Sequence, residues 1–360
     1  MKVQKRNMKK TKITLLFWAA LLMVAIGFAG CATSTVGISV LVPADIKVDQ
    51  SIKTIALVNR YRPDKGEGFL NVVEGALSGE NIGQDRRSAE EALMGLTNAL
   101  AASPRFSITR PGIELKGTGG VDFPVILAEV EVQEICKKAG AQALVTIEAF
   151  DSDQQVACTT QVRERKNKAG ETEKYTVWMA RKTIQVMVGW RMYDGQYGHL
   201  IDQMRMQESV YFNAEGNSEG NAIANLPQGE SVTREIGRVT GASYSRHISP
   251  TWLPVSRSYY TKGSDYFKAG KKRVKINDWA GAKQMWERAT DDEKTKVKGR
   301  ALYNLALAAE MDGDLEGASE LAKDAYRKYD IRKAMTYRNI LEQRIRDQER
   351  LNEQMEGAEK

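Results

Sequence analysis

Few side chains in this sequence have the type and spacing that catalysis requires. The two histidines, His199 and His247, stand alone at a predicted strand start and a predicted helix end, where a histidine is usually structural. Residues 216–220 match the Gly-x-Ser-x-Gly pattern, which needs a strand before it and a helix directly after; we predict a loop there. Asp151 and Asp153 follow a predicted strand, where catalytic acids and ordinary turn residues both occur. No cysteine and histidine cluster has metal-binding spacing, so we predict no enzyme, no metal and no cofactor.

The cysteine at position 31 carries the strongest chemical signal. The chain opens with six basic residues and no acidic one, continues with an apolar run over 13–30, and reaches Phe28-Ala29-Gly30-Cys31. A basic start, an apolar stretch and small residues before the cleavage point are typical of a secretory signal. The last four residues resemble the lipobox of bacterial lipoproteins, with Phe28 where leucine is usual. This resemblance implies a signal peptide over 1–30 and lipid attachment at Cys31; the alternative is one spanning helix that is never cleaved.

The basic leader also accounts for most of the charge of the chain. The full sequence has 53 basic and 46 acidic residues, a net charge of +7. Six of the basic residues lie in the leader, which leaves 47 against 46 in the mature chain. The basic isoelectric point is therefore mostly a targeting feature, and we predict no nucleic acid partner.

The residues after Cys31 bear on the location of the anchor. From Ala32 onward there is no acidic residue before Asp45. The segment therefore lacks the aspartate that usually retains lipoproteins in the inner membrane of enteric bacteria. It also lacks the acidic run that resembles the surface-export signal of Bacteroidota. We expect a lipidated tether over 31–47 and an outer-membrane anchor that faces the periplasm.

The two other cysteines are Cys136, in a predicted helix, and Cys158, just past the following predicted strand. An oxidising compartment permits a disulfide between them. The sequence cannot fix the geometry that a bridge needs, and two separate buried thiols are the favoured alternative.

The mature chain is long enough for two domains. Its composition changes near residue 255 from β-type runs to sequence rich in Ala, Lys and Glu. We predict an α/β domain over 48–250, a linker over 251–262, two helical repeats over 263–330, and a capping helix with a frayed tail over 331–360. The fold class is thus α+β, a mixed α/β sheet domain followed by an all-α domain of helical hairpins.

The first domain alternates strands and helices before a long hairpin. Ser88 with Glu91 resembles a capping box at a helix start, and Gly140 suits a helix C-cap. The predicted elements are strand 52–58, the helix that starts at Ser88, strand 106–109, helix 125–138, strand 143–147, strands 176–193 and 200–212 joined as a hairpin, and helix 232–247.

The C-terminal third contains an internal repeat with a shift of 36 residues. Each copy is predicted as helix, tight turn and helix, in which small residues let the two helices approach closely. The copies resemble the tetratricopeptide repeat, although they lack its closing proline; the alternative is an unrelated pair of helical hairpins. The predicted packing positions are Tyr266, Gly270, Ala282, Trp286 and Ala289 in the first copy, and Leu302, Ala306, Ala318, Ala322 and Ala325 in the second.

Several motifs in the first domain look like one known fold. Ile-Ala-Leu-Val-Asn at 55–59, Leu-Thr-Asn-Ala-Leu at 96–100 and Gly-Ala-Gln-Ala-Leu-Val-Thr-Ile at 140–147 resemble the TolB N-terminal-like fold. Penicillin-binding-protein activator lipoproteins and the curli secretion lipoprotein share that fold. The stretch from Pro250 to Tyr260 is similar to a Bacteroidota lipoprotein family of unknown function. The resemblance covers about 45–330 and implies no activity.

The sequence therefore favours a non-catalytic, lipid-anchored envelope protein that mediates protein–protein interaction. The membrane would bind through the N-terminal lipid, and an unidentified envelope protein or peptide would bind the concave surface of the helical repeats. The alternative is an oligomeric assembly or secretion component that resembles the curli secretion lipoprotein. A third hypothesis is a hydrolase that acts on envelope glycans or peptides, which requires paired carboxylates or a catalytic triad.

Overall fold

The computed structural model describes residues 32–61, 84–227 and 229–356, so the leader and Cys31 lie outside the described residues. Two compact units divide the chain: the sheet unit, drawn from 41–252 and 350–360, and the helical unit, drawn from residues up to 40 and 253–349. The predicted fold class is confirmed.

The elements are β1 (Thr33–Val42), β2 (Thr54–Asn59), α1 (Gln84–Ala101), β3 (Ser107–Thr109), α2 (Glu129–Ala139), β4 (Ala143–Lys166), β5 (Thr172–Asp194), β6 (Leu200–Gly216), α3 (Glu219–Ala224), α4 (Gly229–Ile248), β7 (Thr251–Tyr260), α5 (Asp265–Lys275), α6 (Trp279–Arg288), α7 (Thr295–Asp312), α8 (Leu315–Tyr329) and α9 (Arg332–Met355).

The sheet unit is built on a mixed sheet whose strand order, within the described residues, is β3-β2-β4-β5-β6. β2 runs parallel to β3 and β4, whereas β4, β5 and β6 are consecutive antiparallel strands. One face of the sheet is covered by α1 and α4. Alternate residues of β5 from Ile184 to Met192 are buried in the core on this face, as their apolar alternation predicts. The ring of Trp190 stacks on Tyr244 of α4, with 5.0 Å between the ring centroids.

The helices α1 and α4 approach each other closely because glycines lie at their crossing. A Cβ atom at Gly241 would lie 1.8 Å from the backbone oxygen of Ala92, and one at Gly95 would lie 2.0 Å from the backbone oxygen of Arg238. Any larger side chain at these positions must push the helices apart. The backbone contact therefore fixes the distance between α1 and α4.

The helix ends match the sequence in one case and not in another. Gly140 ends α2 in the left-handed conformation, with a φ of 63°, so its predicted C-cap role is confirmed. Ser88 was predicted to begin a helix, and this is wrong: α1 already includes Gln84, and Ser88 is fully buried inside the helix. Ser88 lies at the contact with α4, where a Cβ on Gly237 would be 2.7 Å from its backbone oxygen.

The strand β4 is far longer than the sequence indicates. It was predicted to end at Ile147, but it continues to Lys166 and pairs with β5 along its whole length. Asp151 and Asp153 therefore lie inside a strand and not after its end. The polar sequence from 148 onward has little apolar alternation, so the backbone hydrogen bonds to β5 define this part of the strand.

A fully buried glutamate joins β4 to its surroundings. Glu148 lies at a bulge between Ile147 and Ala149 in the β4–β5 pairing. Its carboxylate accepts hydrogen bonds from the Thr146 hydroxyl at 2.6 Å and the Tyr193 hydroxyl at 3.1 Å. Two cations complete the cluster, Arg60 at 2.9 Å and Arg191 at 3.6 Å. The buried carboxylate of Glu148 is thus stabilised by ion pairs and by neutral donors.

The helical unit repeats one hairpin geometry. The turn between α5 and α6 contains Asn277 with a φ of 60°, and the turn between α7 and α8 contains Gly313 with a φ of 83°. Asp278 and Asp314 follow these residues and accept a hydrogen bond from a backbone N–H three residues on, each at 2.8 Å. The 36-residue repeat therefore includes its N-caps as well as its small residues.

The predicted packing positions of the repeat are buried with two exceptions. Tyr266 is 40% exposed, so its predicted packing role is wrong; the helix turns Phe267, Gly270 and Val274 toward the core instead. Leu302 is partly buried against the same core. The fully enclosed positions are Gly270, Ala282, Trp286, Ala289, Ala306, Ala318, Ala322 and Ala325.

The segments predicted as a linker and as a tether are largely strands. β7 occupies most of the predicted linker over 251–262, and β1 occupies most of the predicted tether over 31–47. β1 and β7 form a two-stranded sheet. The Asn304 side chain of α7 binds β7, because its oxygen accepts from the Tyr260 N–H at 2.7 Å and its amide donates to the Tyr260 carbonyl at 2.8 Å. Backbone pairing and this amide contact override the proline signal of the segment.

A second buried glutamate lies in the helical unit. Glu310 of α7 has no exposed side-chain surface and accepts two hydrogen bonds from Arg257 of β7 at 2.9 Å. Arg344 donates at 2.6 Å and the Tyr337 hydroxyl at 2.5 Å, both from α9. Burial opposes the ionised form of Glu310, but the hydrogen bonds from Arg257 and Tyr337 outweigh it and lower the pKa of this carboxyl.

The predicted capping helix is present as α9. It continues to Met355, and Gln354 near its end is buried, so the predicted fraying is wrong up to residue 356. The remaining tail lies outside the described residues. Within the described ranges, none of the helices combines the length and the apolar composition that crossing a membrane requires.

Candidate functional site

A pocket of about 300 Å³ lies between β6 and α4 in the sheet unit. Val210 and Phe212 line it from the strand. Val232, Ile236 and Val239 line it from the helix. The pocket forms because α4 packs mainly on α1 and, of the strands, contacts β5 more than β6, so the outermost strand is only partly covered. Its lining is apolar, as in most sites that bind an apolar group.

The strand beside this pocket has a long free edge. β6 is 17 residues long and pairs with β5 on one side. In the part of the chain that the structure describes, no strand pairs with its other side. The strand contains neither proline nor lysine, which commonly block such edges. Its unpaired N–H and C=O groups can therefore accept an additional extended strand.

Acidic side chains stand at the rim of the pocket. On the face of β6 toward α4, Met206 and Val210 are partly buried in the core, and Glu208 lies between them. Glu208 is exposed and has no ion-pair partner within the described ranges. Glu235 also lines the pocket, and Arg238 binds both of its carboxylate oxygens. The site thus offers an apolar cavity, an open strand edge and one uncompensated negative charge.

Cys136 and Cys158 are both free thiols, so the favoured prediction of two separate thiols is confirmed and the alternative disulfide is not formed. Cys136 is buried in α2 and packs in the cluster that contains Leu144, and burial raises the pKa of its thiol to about 11. Cys158 lies fourteen residues further along β4 than Leu144 and is only partly buried. A strand of that length spans about 45 Å, far beyond the reach of a bridge.

The histidines have structural surroundings. The imidazole of His247 lies between two carboxylates, with Nδ1 3.1 Å from Asp45 and Nε2 3.3 Å from Asp202. The Tyr244 hydroxyl donates to the other oxygen of Asp202 at 2.9 Å. His199 lies against the ring of Tyr197, at 5.9 Å between centroids. Neither histidine is hydrogen-bonded to a serine or cysteine within the described ranges.

The Gly-x-Ser-x-Gly segment differs from its prediction. A strand ends at Gly216 and α3 begins at Glu219, so the loop prediction is wrong and the flanking elements match the motif. However, Ser218 is the N-cap of α3, and its hydroxyl accepts from the Asn221 N–H at 3.2 Å. This contact explains the serine by helix capping.

Asp85 is an acid that the sequence analysis did not identify. It lies in the first turn of α1, and the Ser152 hydroxyl donates a hydrogen bond to it. Burial raises the pKa of Asp85 to about 6, and the nearby charge of Asp151 adds to the rise. No sequence signal indicates this, because the contact depends on the unexpected continuation of β4. No group of acidic, histidine or cysteine side chains suited to a metal ion occurs in the described part of the chain.

This raised pKa predicts a pH-dependent stability. The folded protein holds the Asp85 proton more tightly than the unfolded chain, so stability falls as the pH rises from about 4 to about 6 and then stays level. Asp85→Asn keeps an oxygen for Ser152 and removes the charge. We expect it to be more stable than the wild type by about 1–3 kcal/mol near neutral pH, with the gain shrinking toward pH 4. Urea unfolding at several pH values measures this.

The control for this prediction is Asp153→Asn, an exposed position on β4, the strand that contains Ser152. It should leave the pH profile unchanged. If Asp85→Asn is destabilising at neutral pH, or if both variants behave alike, the account of Asp85 is wrong.

Signals for the pocket were present in the sequence but were weak. Leu200 to Phe212 was predicted as one strand of the hairpin, and this is confirmed with an extension to Gly216. Glu208 breaks the apolar alternation of the α4 face, which is a sign of a partly exposed site. Sequence alone does not show that β6 is the edge strand, because strand order depends on long-range pairing.

Fold and site together define a two-unit protein, a mixed α/β sheet region followed by helical hairpins, with a candidate binding edge on the sheet. The chain belongs to the family described as Domain of unknown function (DUF8603), whose model matches residues 52–260, more than half of the chain. A second model, described as Domain of unknown function (DUF6340), matches residues 268–343 in the helices. No curated protein matches the chain. The first match includes β7, in agreement with its place in a folded element.

Proposed function

We propose that this protein is a non-catalytic, lipid-anchored protein of the bacterial envelope that binds an extended segment of a partner protein at the free edge of β6. The observation that carries the proposal is the coincidence of the free edge of β6, a strand of 17 residues, with an apolar pocket of about 300 Å³. The lipobox at Cys31 supports the anchor. The absence of an acidic residue before Asp45 supports an outer-membrane location facing the periplasm.

The chemistry of the site defines the segment that fits it. Backbone hydrogen bonds to β6 require an extended strand and give affinity without reading sequence. The pocket takes one apolar side chain, whose burial contributes about 1.5–3 kcal/mol. The unpaired carboxylate of Glu208 favours a basic residue nearby. We therefore expect alternating apolar residues with a lysine or arginine among them.

The helical hairpins have less support as the partner site. Residues 303–310 of α7 are all buried by neighbouring elements of the helical unit, including β7. Asn304 already binds the backbone of Tyr260, in the way that a groove holds an extended peptide. This part of the repeat surface is occupied by the chain itself, so we assign the partner to the sheet edge.

A selection from short random peptides displayed on phage tests the binding site. The target is the soluble chain from residue 32 onward, and Val239→Lys places a positive charge at the half-exposed rim of the pocket. We expect the selected peptides to carry alternating apolar residues and a cation, and to lose about ten-fold or more in affinity for this variant. Val130→Lys, an exposed valine on α2, is the matched control. Peptides that bind both variants equally would place the site elsewhere.

Mass spectrometry of the native protein tests the anchor. We expect the first residue to be Cys31 with a thioether-linked diacylglycerol and an acylated amine. An unmodified protein that still carries the leader would contradict the lipoprotein assignment and support the uncleaved helix.

Oligomerisation is the second candidate function. Beyond Ile147, β4 has no strand on its outer side within the described ranges, so the sheet has a second free edge. Pairing of β4 in one copy with β6 in another would repeat head to tail and give a ring or a filament. Sedimentation of the protein in mild detergent separates the two functions: a large closed species favours assembly, and a monomer favours partner binding.

A further inference from the structure

The first helix of the helical unit is strongly basic. Residues 262–276 contain six basic side chains and one acidic side chain, Asp265. The mature chain as a whole is almost neutral, so this concentration of charge is local. The basic residues are Lys262, Lys268, Lys271, Lys272, Arg273 and Lys275.

The charges lie on the outer surface of α5. Phe267, Gly270 and Val274 bury one side of the helix, and Lys272 and Lys275 are exposed on the others. Lys268 pairs with Asp265 and Arg273 pairs with Asp278. Lys271, Lys272 and Lys275 have no ion-pair partner in the parts of the chain that the structure describes.

Apolar side chains are exposed among these charges. Ile276 directly follows α5 and is 71% exposed, and Tyr266 in its first turn is 40% exposed. Basic residues interspersed with exposed apolar and aromatic ones are typical of helices that lie on an anionic membrane surface. The alternative is an ordinary solvated helix face, which would show no preference for anionic over neutral vesicles.

The chain enters the described structure beside this helix. The carbonyl oxygen of Ala32 accepts a hydrogen bond from the Thr261 N–H at 2.9 Å. Lys262 follows Thr261, and α5 begins three residues later. Trp286 also connects β7 to α5. Its ring packs on Tyr259 of β7, with 6.0 Å between the ring centroids, and a Cβ on Gly270 of α5 would lie 2.5 Å from its Nε1 atom.

We propose that the outer face of α5 rests on the anionic phospholipid headgroups of the membrane that carries the anchor. This inference rests on the proposed lipidation of Cys31, which places the acyl chains one residue before Ala32. Because β1 starts at Thr33, only Ala32 separates the lipid-bearing residue from a folded strand. The helical unit therefore has no long tether that could hold α5 away from the surface.

The attraction is electrostatic and reversible by salt. A basic residue near an anionic leaflet contributes about a five-fold gain in membrane partitioning, equivalent to about 1 kcal/mol. The attraction falls off within a Debye length, about 8–10 Å at physiological salt, so the lysines contribute when the face of α5 lies directly against the surface.

Vesicle binding by the lipid-free chain from residue 32 onward tests α5 separately from the anchor. Binding is measured by co-sedimentation with vesicles of phosphatidylcholine, with or without phosphatidylglycerol, at low and high salt. The variant is Lys271→Glu with Lys272→Glu and Lys275→Glu. The matched control is Lys137→Glu with Lys138→Glu and Lys168→Glu, three exposed lysines of the sheet unit. Circular dichroism of the two triple variants checks that each is folded.

We expect the wild type and the control to bind the anionic vesicles and to dissociate at high salt, and the α5 variant to bind about ten-fold less or worse. Equal binding by the α5 variant and the control overturns the proposal, as does equal binding of the wild type to neutral vesicles. Binding of the wild type to an acidic peptide or to nucleic acid, but not to anionic vesicles, also overturns it. A negative vesicle result does not change the mass spectrum that tests lipidation of Cys31. Failure of the membrane-contact proposal is therefore distinguishable from failure of the lipoprotein assignment.

Discussion

Replacing Glu310 with alanine should destabilise the helical unit by about 3–5 kcal/mol. The side chain is fully buried and accepts hydrogen bonds from Arg257, Arg344 and Tyr337. Its removal leaves two guanidinium groups near each other with no carboxylate, in surroundings that solvate charge poorly. A loss of this size is a large part of the stability of an ordinary domain, so we expect a clearly lower thermal midpoint.

The matched control is Glu320→Ala on α8, whose carboxylate is exposed and pairs with Lys323. We expect a change of less than about 1 kcal/mol there, because exposed ion pairs contribute little. Similar midpoints for the two variants would show that the Glu310 cluster contributes no more than a surface pair.

The same cluster predicts a loss of stability in acid. The pKa of Glu310 is lowered in the folded protein, so its contribution is present above the unfolded value of 4.5. It disappears as the pH falls through the folded pKa. Glu310→Gln should remove this part of the acid transition, which differs in direction from the Asp85 effect.

Gly241→Val should be the most damaging substitution in the sheet unit, with an expected loss of about 3 kcal/mol or more. A Cβ at this position would lie 1.8 Å from the Ala92 backbone oxygen, and backbone cannot move aside as a flexible side chain can. The helices must separate, which loosens the core between α1, α4 and the sheet. Chemical denaturation followed by tryptophan fluorescence measures this, since Trp190 stacks on Tyr244 of α4.

Gly220→Val in α3 is the control, because a Cβ there meets no atom within 4 Å. It changes the same residue type in a helix of the same unit and should change the stability by less than about 0.5 kcal/mol, because valine is not a worse helix former than glycine. If the two substitutions destabilise the protein equally, the contact with Ala92 is not the cause of the loss at Gly241.

The elements with strong local signals were predictable. Gly140 ended its helix as expected, since only glycine adopts the left-handed conformation there without strain. The 36-residue repeat predicted both helical hairpins, because small residues recur where helices touch. Apolar alternation predicted β5 and β6, since one of their faces is buried.

The failures share a physical cause. β4 beyond Ile147, β1 and β7 carry weak patterns of their own and are held by strands or side chains distant in sequence. The candidate pocket also depends on contacts between residues that are distant in sequence. Val210 and Val239 are each ordinary apolar residues, and they form a site only because β6 is the edge strand and α4 leaves it partly uncovered.

The sequence by itself determined the fold class and the two helical hairpins, because each depends on residues close together in the chain. Tertiary structure alone decided the strand order, the burial of Glu148 and Glu310, and the free edge of β6. These features arise from pairing between distant segments, whose partners no local pattern of residues specifies. The surfaces that we assign to a partner and to the membrane depend on those pairings.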